Sequence, residues 1–259
     1  LGVLVILTIL CRNEISSSFK EFKKRSLWFL VMGLLGFTGF NSLYYVSAHH
    51  TVAINLGIVQ STMPAFIIII SMIWLKTKVN SLQILGLMIT FMGVLVVITN
   101  GNINYLLNFK INKGDLIMVF ACIFYAVYAV GLKKRPNVSD LLLMTFFSYI
   151  AFLGSLPGLA FETLSNNLIL PSEKGLLILL IIIIFPSFLA QICFMRGVKI
   201  LGPSISGLYT NLVPIFTSIL AIIILDEKFY FFHLISLIIV FFGIYIFEKN
   251  VFDINKVKK

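Results

Sequence analysis

The chain has 259 residues, of which 59% are hydrophobic and only 12% are charged, and its mean hydropathy is +1.05. This composition excludes a soluble globular domain, which needs a charged outer surface. The net charge of +10 does not indicate a nucleic-acid partner, because the basic residues cluster in short links between apolar stretches, as they do in membrane proteins.

Apolar stretches of about 20 residues, the length that crosses the hydrocarbon core of a bilayer as a helix, recur along the whole chain. The sequence predicts membrane-spanning helices at 27–48, 51–75, 80–99, 113–132, 140–161, 175–196, 203–225 and 230–248. Residues 1–10 are apolar but only about half as long as a span, and no basic segment precedes them as in a signal peptide. We therefore expect them to end a helix that begins before residue 1.

Residues 44–97 align with residues 194–247 at a constant offset of 150 and without a gap. The matching pairs are Gly57/Gly207, Pro64/Pro214, Phe66/Phe216, Leu75/Leu225, Lys78/Lys228, Leu87/Leu237, Ile89/Ile239, Phe91/Phe241 and Gly93/Gly243. A membrane protein built as two related halves is typical of transporters, which hold their substrate between the halves.

The distribution of basic residues predicts how the chain is oriented. If the link 11–26 is cytoplasmic, sixteen of the twenty Lys and Arg residues fall on the cytoplasmic side, where such residues collect. The equivalent links 76–78 and 226–228 then lie on opposite sides of the membrane. The sequence therefore predicts an all-α polytopic membrane protein of two inverted-topology five-helix repeats, with the first helix and part of the second missing from the sequence. The repeats are expected at 1–99 and 113–248, followed by a basic cytoplasmic tail at 249–259.

The stretch from Tyr45 to Ile98 resembles the repeat of the EamA-type ten-helix transporters of the drug/metabolite transporter superfamily. The residues that carry the resemblance are Tyr45-Val46-Ser47-Ala48, Pro64, Gly86 and Gly93, with Pro214, Glu227 and Gly243 in the second copy. Thr77 departs from the pattern, because an acidic residue is usual after this helix. The resemblance extends over essentially the whole chain and implies a carrier of small metabolites, such as amino acids or similar solutes.

Polar side chains inside the spans are the candidates for the substrate pathway, because a polar group in hydrocarbon is costly unless it is paired or faces a water-filled path. The offset of 150 pairs the amides Asn41 and Gln191, and it pairs Gln60 and Ser61 with Thr210 and Asn211. The expected pathway residues are Asn41, Tyr45, Gln60, Ser61, Tyr125, Tyr128, Gln191, Tyr209 and Asn211. The alternative for these residues is hydrogen bonding or packing between neighbouring helices.

Two prolines at equivalent positions, Pro64 and Pro214, are expected to kink their helices. Each proline removes one backbone donor, so that carbonyl groups near the kink become available to a substrate.

The predicted function is transport by alternating access, with export as the expected direction, and not enzymatic catalysis. All ten acidic residues fall in links or at span ends, which favours a facilitator or exchanger without a buried carboxylate as coupling site. A carrier related to lipid-linked-sugar flippases and, less favoured, an integral membrane enzyme acting on lipid are the alternatives.

The histidines and cysteines do not indicate a metal site. His49 and His50 lie at one span end and His233 near another, where surface placement or packing is favoured over a role in pH response. Cys11, Cys122 and Cys193 lack metal-site spacing. We therefore expect no metal and no cofactor.

The expected partners are a small-molecule substrate and the lipid bilayer, with a homodimer as an option and without nucleic acid. The expected location is a bacterial inner membrane with both termini in the cytoplasm.

Overall fold

The computed structural model of the chain describes residues 2–102, 112–166 and 170–257, and every regular element in these ranges is a helix. The α-helices are α1 (Gly2–Leu10), α2 (Arg12–Lys24), α3 (Ser26–Gly33), α4 (Phe40–Ala48), α5 (Ala53–Gln60), α6 (Met63–Leu75), α7 (Ser81–Ile98), α8 (Lys113–Gly131), α9 (Asp140–Leu164), α10 (Glu173–Ile182), α11 (Ala190–Leu201), α12 (Pro203–Leu208), α13 (Val213–Leu225) and α14 (Phe231–Val257). Two π-helical turns join α3 to α4 (Leu34–Gly39) and α10 to α11 (Ile183–Leu189), and two 3-10 turns cover Leu132–Lys134 and Tyr209–Leu212.

Within the described ranges, six helical stretches have the length and apolar composition needed to cross a membrane, and two shorter apolar helices follow them. The long stretches are Ser26–Ala48, Ala53–Leu75, Ser81–Ile98, Lys113–Lys134, Asp140–Leu164 and Glu173–Leu201, and the shorter ones are Val213–Leu225 and Phe231–Phe247. The prediction of an all-α polytopic membrane protein is thus confirmed.

Two details differ from a simple series of spans and links. The basic link 11–26 is itself largely helical, because α2 occupies most of it. The predicted span 203–225 is divided into α12, a 3-10 turn and α13. Its partner in the first copy, 51–75, is likewise divided into α5 and α6 by a turn at Ser61 and Thr62.

Helices α7 and α14 pack closely against each other, and their contacts are exchanged between the two copies. A Cβ placed on Gly86 would lie 2.6 Å from the carbonyl oxygen of Gly243. Near the other end of the pair, Ser236 donates a hydrogen bond of 2.6 Å from its Oγ to the carbonyl oxygen of Gly93. Ser236 is the equivalent of Gly86, and Gly243 is the equivalent of Gly93. Each position therefore contacts the equivalent of the other, as a twofold axis between antiparallel helices requires.

The divided spans repeat this exchange. A Cβ on Gly57 in α5 would lie 2.8 Å from the Cβ of Thr217 in α13, and a Cβ on Gly207 in α12 would lie 2.7 Å from the Cδ1 of Ile67 in α6. Gly57 and Gly207 are equivalent, as are Ile67 and Thr217. Two independent pairs of contacts thus relate the copies by one pseudo-twofold axis, with their helices running in opposite directions.

Helix α8 lies at the centre of the bundle, where it contacts α4, α5 and α6. Its buried residues include Met118, Ala121, Cys122 and Tyr128. The stretch Glu173–Leu201, in contrast, has only 6% of its most apolar window buried. This stretch is therefore mostly exposed on the surface of the bundle, and residues of its second half line the cavity described below.

Candidate substrate cavity

A cavity of about 830 Å³ lies beside the break in the span Ala53–Leu75 and the two π-helical turns. It is lined by Phe37, Phe40, Asn41, Tyr44, Tyr45, Gln60, Met63, Tyr125, Ile182, Pro186, Ser187, Ala190, Gln191, Cys193, Phe194, Gly197, Leu201, Ser206, Tyr209, Thr210 and Val213. Ligand sites in proteins commonly have volumes of roughly 300–1,000 Å³, so the cavity has the size of a small-molecule site.

The two π-helical turns occupy equivalent positions in the two copies. The turn Leu34–Gly39 matches the turn Ile183–Leu189 at the offset of 150 to within one residue. A π-helical turn breaks the regular ladder of backbone hydrogen bonds and is frequent at functional sites. Each turn ends just before one of the paired amides, Asn41 and Gln191, so both amides follow a widened helical turn and line the cavity.

The first amide is held by the backbone of its own π-helical turn. The Nδ2 atom of Asn41 donates a hydrogen bond of 2.7 Å to the carbonyl oxygen of Phe37. This bond fixes the orientation of the amide and leaves its Oδ1 atom as an acceptor on an exposed side chain. In the second copy, Pro186 stands at the position of Gly36 and removes a backbone donor from the turn.

The second amide is joined to a buried tyrosine. The hydroxyl of Tyr125 lies 3.5 Å from the Oε1 atom of Gln191, to which it donates. The Tyr125 ring packs between Phe40 and Phe194, with ring centroids 4.9 and 5.3 Å away. The cavity wall thus alternates aromatic rings with amide groups.

The prolines lie at the start of the second helix in each divided span. Pro64 is the second residue of α6 and Pro214 the second residue of α13. Each span is therefore interrupted just before its proline, instead of bending smoothly around it. Because Pro64 has no N–H, it offers no helical donor to the carbonyl of Gln60, and Gln60 lines the cavity.

Six of the nine predicted pathway residues lie together around the cavity: Asn41, Tyr45, Gln60, Tyr125, Gln191 and Tyr209. Ser61 is fully buried away from it, and its hydroxyl donates to the carbonyl of Ile58. Tyr128 is also fully buried, and its ring packs against Phe37 and Phe147. Asn211 belongs to the 3-10 turn, and its side chain lies outside the described residues.

Other lining residues were not among the candidates. Phe40, Ser187, Cys193, Phe194 and Ser206 all face the cavity. The repeat could have indicated one of them, since Phe194 is the aromatic equivalent of Tyr44. It could not indicate Ser206, because the equivalent residue, Leu56, is apolar.

The chemistry of the described lining is neutral. It offers amides, hydroxyls and aromatic rings, and it contains no Asp, Glu, Lys, Arg or His. In the described parts of the chain, no group of His, Cys, Asp and Glu has the arrangement of a metal site. The cavity can therefore bind a small solute through hydrogen bonds and ring contacts, but it offers no fixed charge to a strongly anionic one.

Comparison with known sequences points in the same direction as the fold. The sequence model of the EamA-like transporter family matches residues 1–99 and 112–248. The uncharacterized transporter YyaM of Bacillus subtilis is 28% identical over 224 residues, which cover 85% of this chain and 72% of that protein. The uncharacterized transporter YetK of the same organism is 26% identical over 247 residues, or 95% and 74% of the two chains.

A solved structure shares the fold. A protein of known crystal structure superposes with a TM-score of 0.60 at 18% sequence identity, over 83% of this chain and 75% of its own length.

Proposed function

The chain belongs to the EamA-like transporter family, and from that premise we propose that it carries a small metabolite across the membrane by alternating access between its two repeats. The proposed substrate is an uncharged or zwitterionic solute of the size of an amino acid, and the proposed direction is export. The observation that carries the proposal is the neutral cavity of about 830 Å³, which is lined by elements of both copies.

The cavity contains one amide from each copy at equivalent positions. Asn41 and Gln191 each follow a π-helical turn, and such a pair can bind the same solute from two sides. Amides both donate and accept hydrogen bonds, so they suit a substrate with carboxylate, hydroxyl or amine groups. The rings of Tyr44, Tyr125 and Phe194 offer apolar contacts in the same space.

The proposed orientation places the Arg196 end of the molecule in the cytoplasm. That end includes Lys76, Lys78 and the run Lys133-Lys134-Arg135, and cytoplasmic loops are rich in such residues. The opposite end, here called the Glu227 end, then faces the outside of a bacterial inner membrane.

The proposal is tested by uptake of radiolabelled neutral amino acids into proteoliposomes that contain the purified protein. Asn41→Ala and Gln191→Ala should each lower kcat/KM about fivefold to tenfold, because each removes a hydrogen bond to the solute worth about 1–1.4 kcal/mol. The matched control is Ser155→Ala, since Ser155 is exposed and its hydroxyl donates to the carbonyl of Phe152 in the same helix.

Unchanged transport in both amide variants would contradict the assignment of the cavity as the substrate site. Uptake that requires a pH gradient at every substrate concentration would contradict the facilitator or exchanger mechanism.

A further inference from the structure

A buried polar cluster joins the two copies at the Glu227 end. The cluster, here called the Glu227 cluster, consists of Thr51 and Asn55 from the first copy and Asp115, Glu227 and His233 from the second. Asn55, Asp115 and His233 are 3%, 0% and 1% exposed. Buried polar groups are nearly always hydrogen-bonded. In this cluster, the hydrogen bonds join residues that lie far apart in the sequence.

The carboxylate of Glu227 caps the broken helix of the opposite copy. Its Oε1 accepts a hydrogen bond of 2.7 Å from the backbone N–H of Ala53, and its Oε2 accepts one of 3.0 Å from that of Ile54. These N–H groups open α5 and have no partner inside the helix. A carboxylate at a helix N-terminus is also favoured by the helix dipole, so Glu227 fixes α5 to the end of α13.

His233 replaces a glutamine that performs the same capping role in the first copy. There, the backbone N–H of Asn80 donates to the Oε1 of Gln83 at 2.8 Å. In the second copy, the backbone N–H of Tyr230 donates to the Nδ1 of His233 at 3.1 Å. Since Nδ1 accepts this bond, it carries no proton, and the proton of the neutral ring lies on Nε2.

With this tautomer, the hydrogen bonds of the cluster run in one direction, from His233 through Asn55 to Asp115. The Nε2–H of His233 donates to the Oδ1 of Asn55 at 3.2 Å. The Nδ2 of Asn55 donates to Asp115 at 3.3 Å, and the hydroxyl of Thr51 donates to the other oxygen of Asp115 at 2.6 Å. Every donor in this chain therefore meets an acceptor when His233 is neutral and Asp115 is ionised.

We propose that His233 is a proton-responsive gating residue that closes the cavity at the Glu227 end when neutral and releases that end when it binds a proton. The proposal rests on the alternating-access function proposed above. A proton taken from water at the Glu227 end adds to Nδ1 and turns it from an acceptor into a donor, which then faces the N–H of Tyr230. The cap on α14 is lost, and the link 226–230 moves with Glu227 away from Ala53 and Ile54. The resulting imidazolium also competes for the Glu227 carboxylate.

Other ionisable groups near the cluster are exposed to solvent. They are His49, His50, Lys113, Asp226 and Lys228. Their charges are screened by water and salt, whereas the ring of His233 is enclosed by Phe229, Tyr230 and Phe232, with centroids 5.5, 5.8 and 4.1 Å away. Among the three histidines, His233 is thus the one whose protonation is expected to change the contacts of the surrounding residues.

Cys193 provides a natural reporter for the test, because it is exposed and lines the cavity. The experiment uses the full chain in sealed vesicles, with Cys11→Ala and Cys122→Ala in the background. A membrane-impermeant maleimide is added from the Glu227 side, and each rate is divided by that of the denatured protein at the same pH. The labelling rate should rise about tenfold when the pH is lowered from about 7.5 to about 5, because protonation of His233 releases the Glu227 end.

His233→Gln keeps the cap, as Gln83 does in the first copy, and removes the titrating group. Its labelling from the Glu227 side should stay low at both pH values. Glu227→Gln loses the charged cap of α5 and should be labelled rapidly at both pH values. The control Glu162→Gln removes an exposed carboxylate and should behave as the wild type.

Three results would overturn the proposal: a wild-type rate that does not change with pH, a pH response that persists in His233→Gln, or slow labelling of Glu227→Gln. In each case, uptake that still depends on Asn41 and Gln191 would leave the proposed transport function intact. Absent uptake together with equal labelling from both faces at every pH would instead overturn both.

Discussion

The two ends of the molecule occupy equivalent positions in the repeat but are closed by different chemistry. The backbone is the same at both: Lys76 and Asp226 have positive φ angles of 54° and 53°. The next residues, Thr77 and Glu227, each donate a backbone bond of 3.3 Å to the residue six positions earlier. At the Glu227 end, the carboxylate then caps α5. At the other end, Thr77 has no carboxylate to offer.

The receiving helices differ as well. The equivalents of Ala53 and Ile54 are Pro203 and Ser204, and a proline has no N–H to donate. The equivalent of Asn55 is Ile205, which cannot take part in a polar cluster. Both the donor and the acceptor sides of the interaction are therefore reduced at the Arg196 end. The duplication produced a symmetric fold, and a few substitutions made it asymmetric in function.

The Arg196 end has an ionic interaction of another kind. The carboxylate of Asp140 forms ion pairs with Arg135 at 2.6 Å and with Arg196 at 3.0 Å. All three residues belong to the second copy, so this interaction does not join the copies as the Glu227 cluster does. The Glu227 end thus has a buried polar cluster across the pseudo-twofold axis. At the Arg196 end, the bonds between the copies, from Arg25 to the carbonyl oxygen of Lys134 and from Ser139 to Glu14, are exposed, and the ion pairs of Asp140 lie within one half.

The largest loss of stability is expected from disrupting the contact between α7 and α14, which lies on the pseudo-twofold axis. Gly86→Leu places a side chain where a Cβ alone would lie 2.6 Å from the carbonyl oxygen of Gly243 and 2.9 Å from the backbone nitrogen of Phe247. Backbone atoms cannot yield as a side chain can, so the variant should lose about 3 kcal/mol or more of stability. Thermal unfolding in detergent measures this loss.

The control is Gly158→Ala, because nothing lies within 4 Å of a Cβ at that position and alanine favours a helix. An equal loss in both variants would show that the α7–α14 contact is not the constraint that we infer.

A smaller effect is expected from removing the cap at the Glu227 end. Glu227→Ala leaves the N–H groups of Ala53 and Ile54 without their partner, which should cost about 1–3 kcal/mol. The matched variant Thr77→Ala should change stability by less than about 0.5 kcal/mol, since it removes no capping group. Equal losses measured by thermal unfolding would mean that the two ends are equally fixed.

The smallest effect is expected from Arg196→Ala. The Arg196 side chain is 61% exposed, and exposed ion pairs contribute about 0–1 kcal/mol. Arg135→Ala should cost more, because the side chains of Arg135 and Asp140 are only 8% and 12% exposed. A reversed order in unfolding measurements would contradict this description of the Arg196 end.

The helical membrane fold could be predicted because the hydropathy indicates the spans and the internal repeat indicates two related halves. The spans follow from the length of apolar stretches, and the inversion follows from basic residues that mark one side of the membrane. The division of the span 51–75 at Ser61 and Thr62 could not be predicted in this way, because the whole stretch is apolar on average and its hydropathy does not mark where the helix is interrupted. For the π-helical turns, the sequence contains one local signal, Pro186 in the second copy. The equivalent residue in the first copy is Gly36, which gives no such signal.

The site could be predicted in part, because a polar residue with a polar equivalent has a reason to lie near the axis. That rule brought Asn41 and Gln191 together around the cavity. The rule does not apply to Tyr128, because position 128 has no equivalent 150 residues earlier in the sequence. Its ring is buried and packs against Phe147. His233 was expected at a surface or in packing; it is packed in the interior, where it is bonded to Asn55. That bond joins residues 178 positions apart, and no local pattern reveals it.

The central claim is that the copy whose carboxylate caps the opposite broken helix determines which end of the cavity is closed. The most direct test installs the missing interaction at the Arg196 end with Thr77→Glu and Pro203→Ala together. The pair supplies both the carboxylate and the absent N–H. Labelling of Cys193 by an impermeant maleimide from the Arg196 side should fall about tenfold relative to the wild type, because a charged cap of about 1.5 kcal/mol is added at that end. An unchanged rate in a correctly folded double variant would contradict the account.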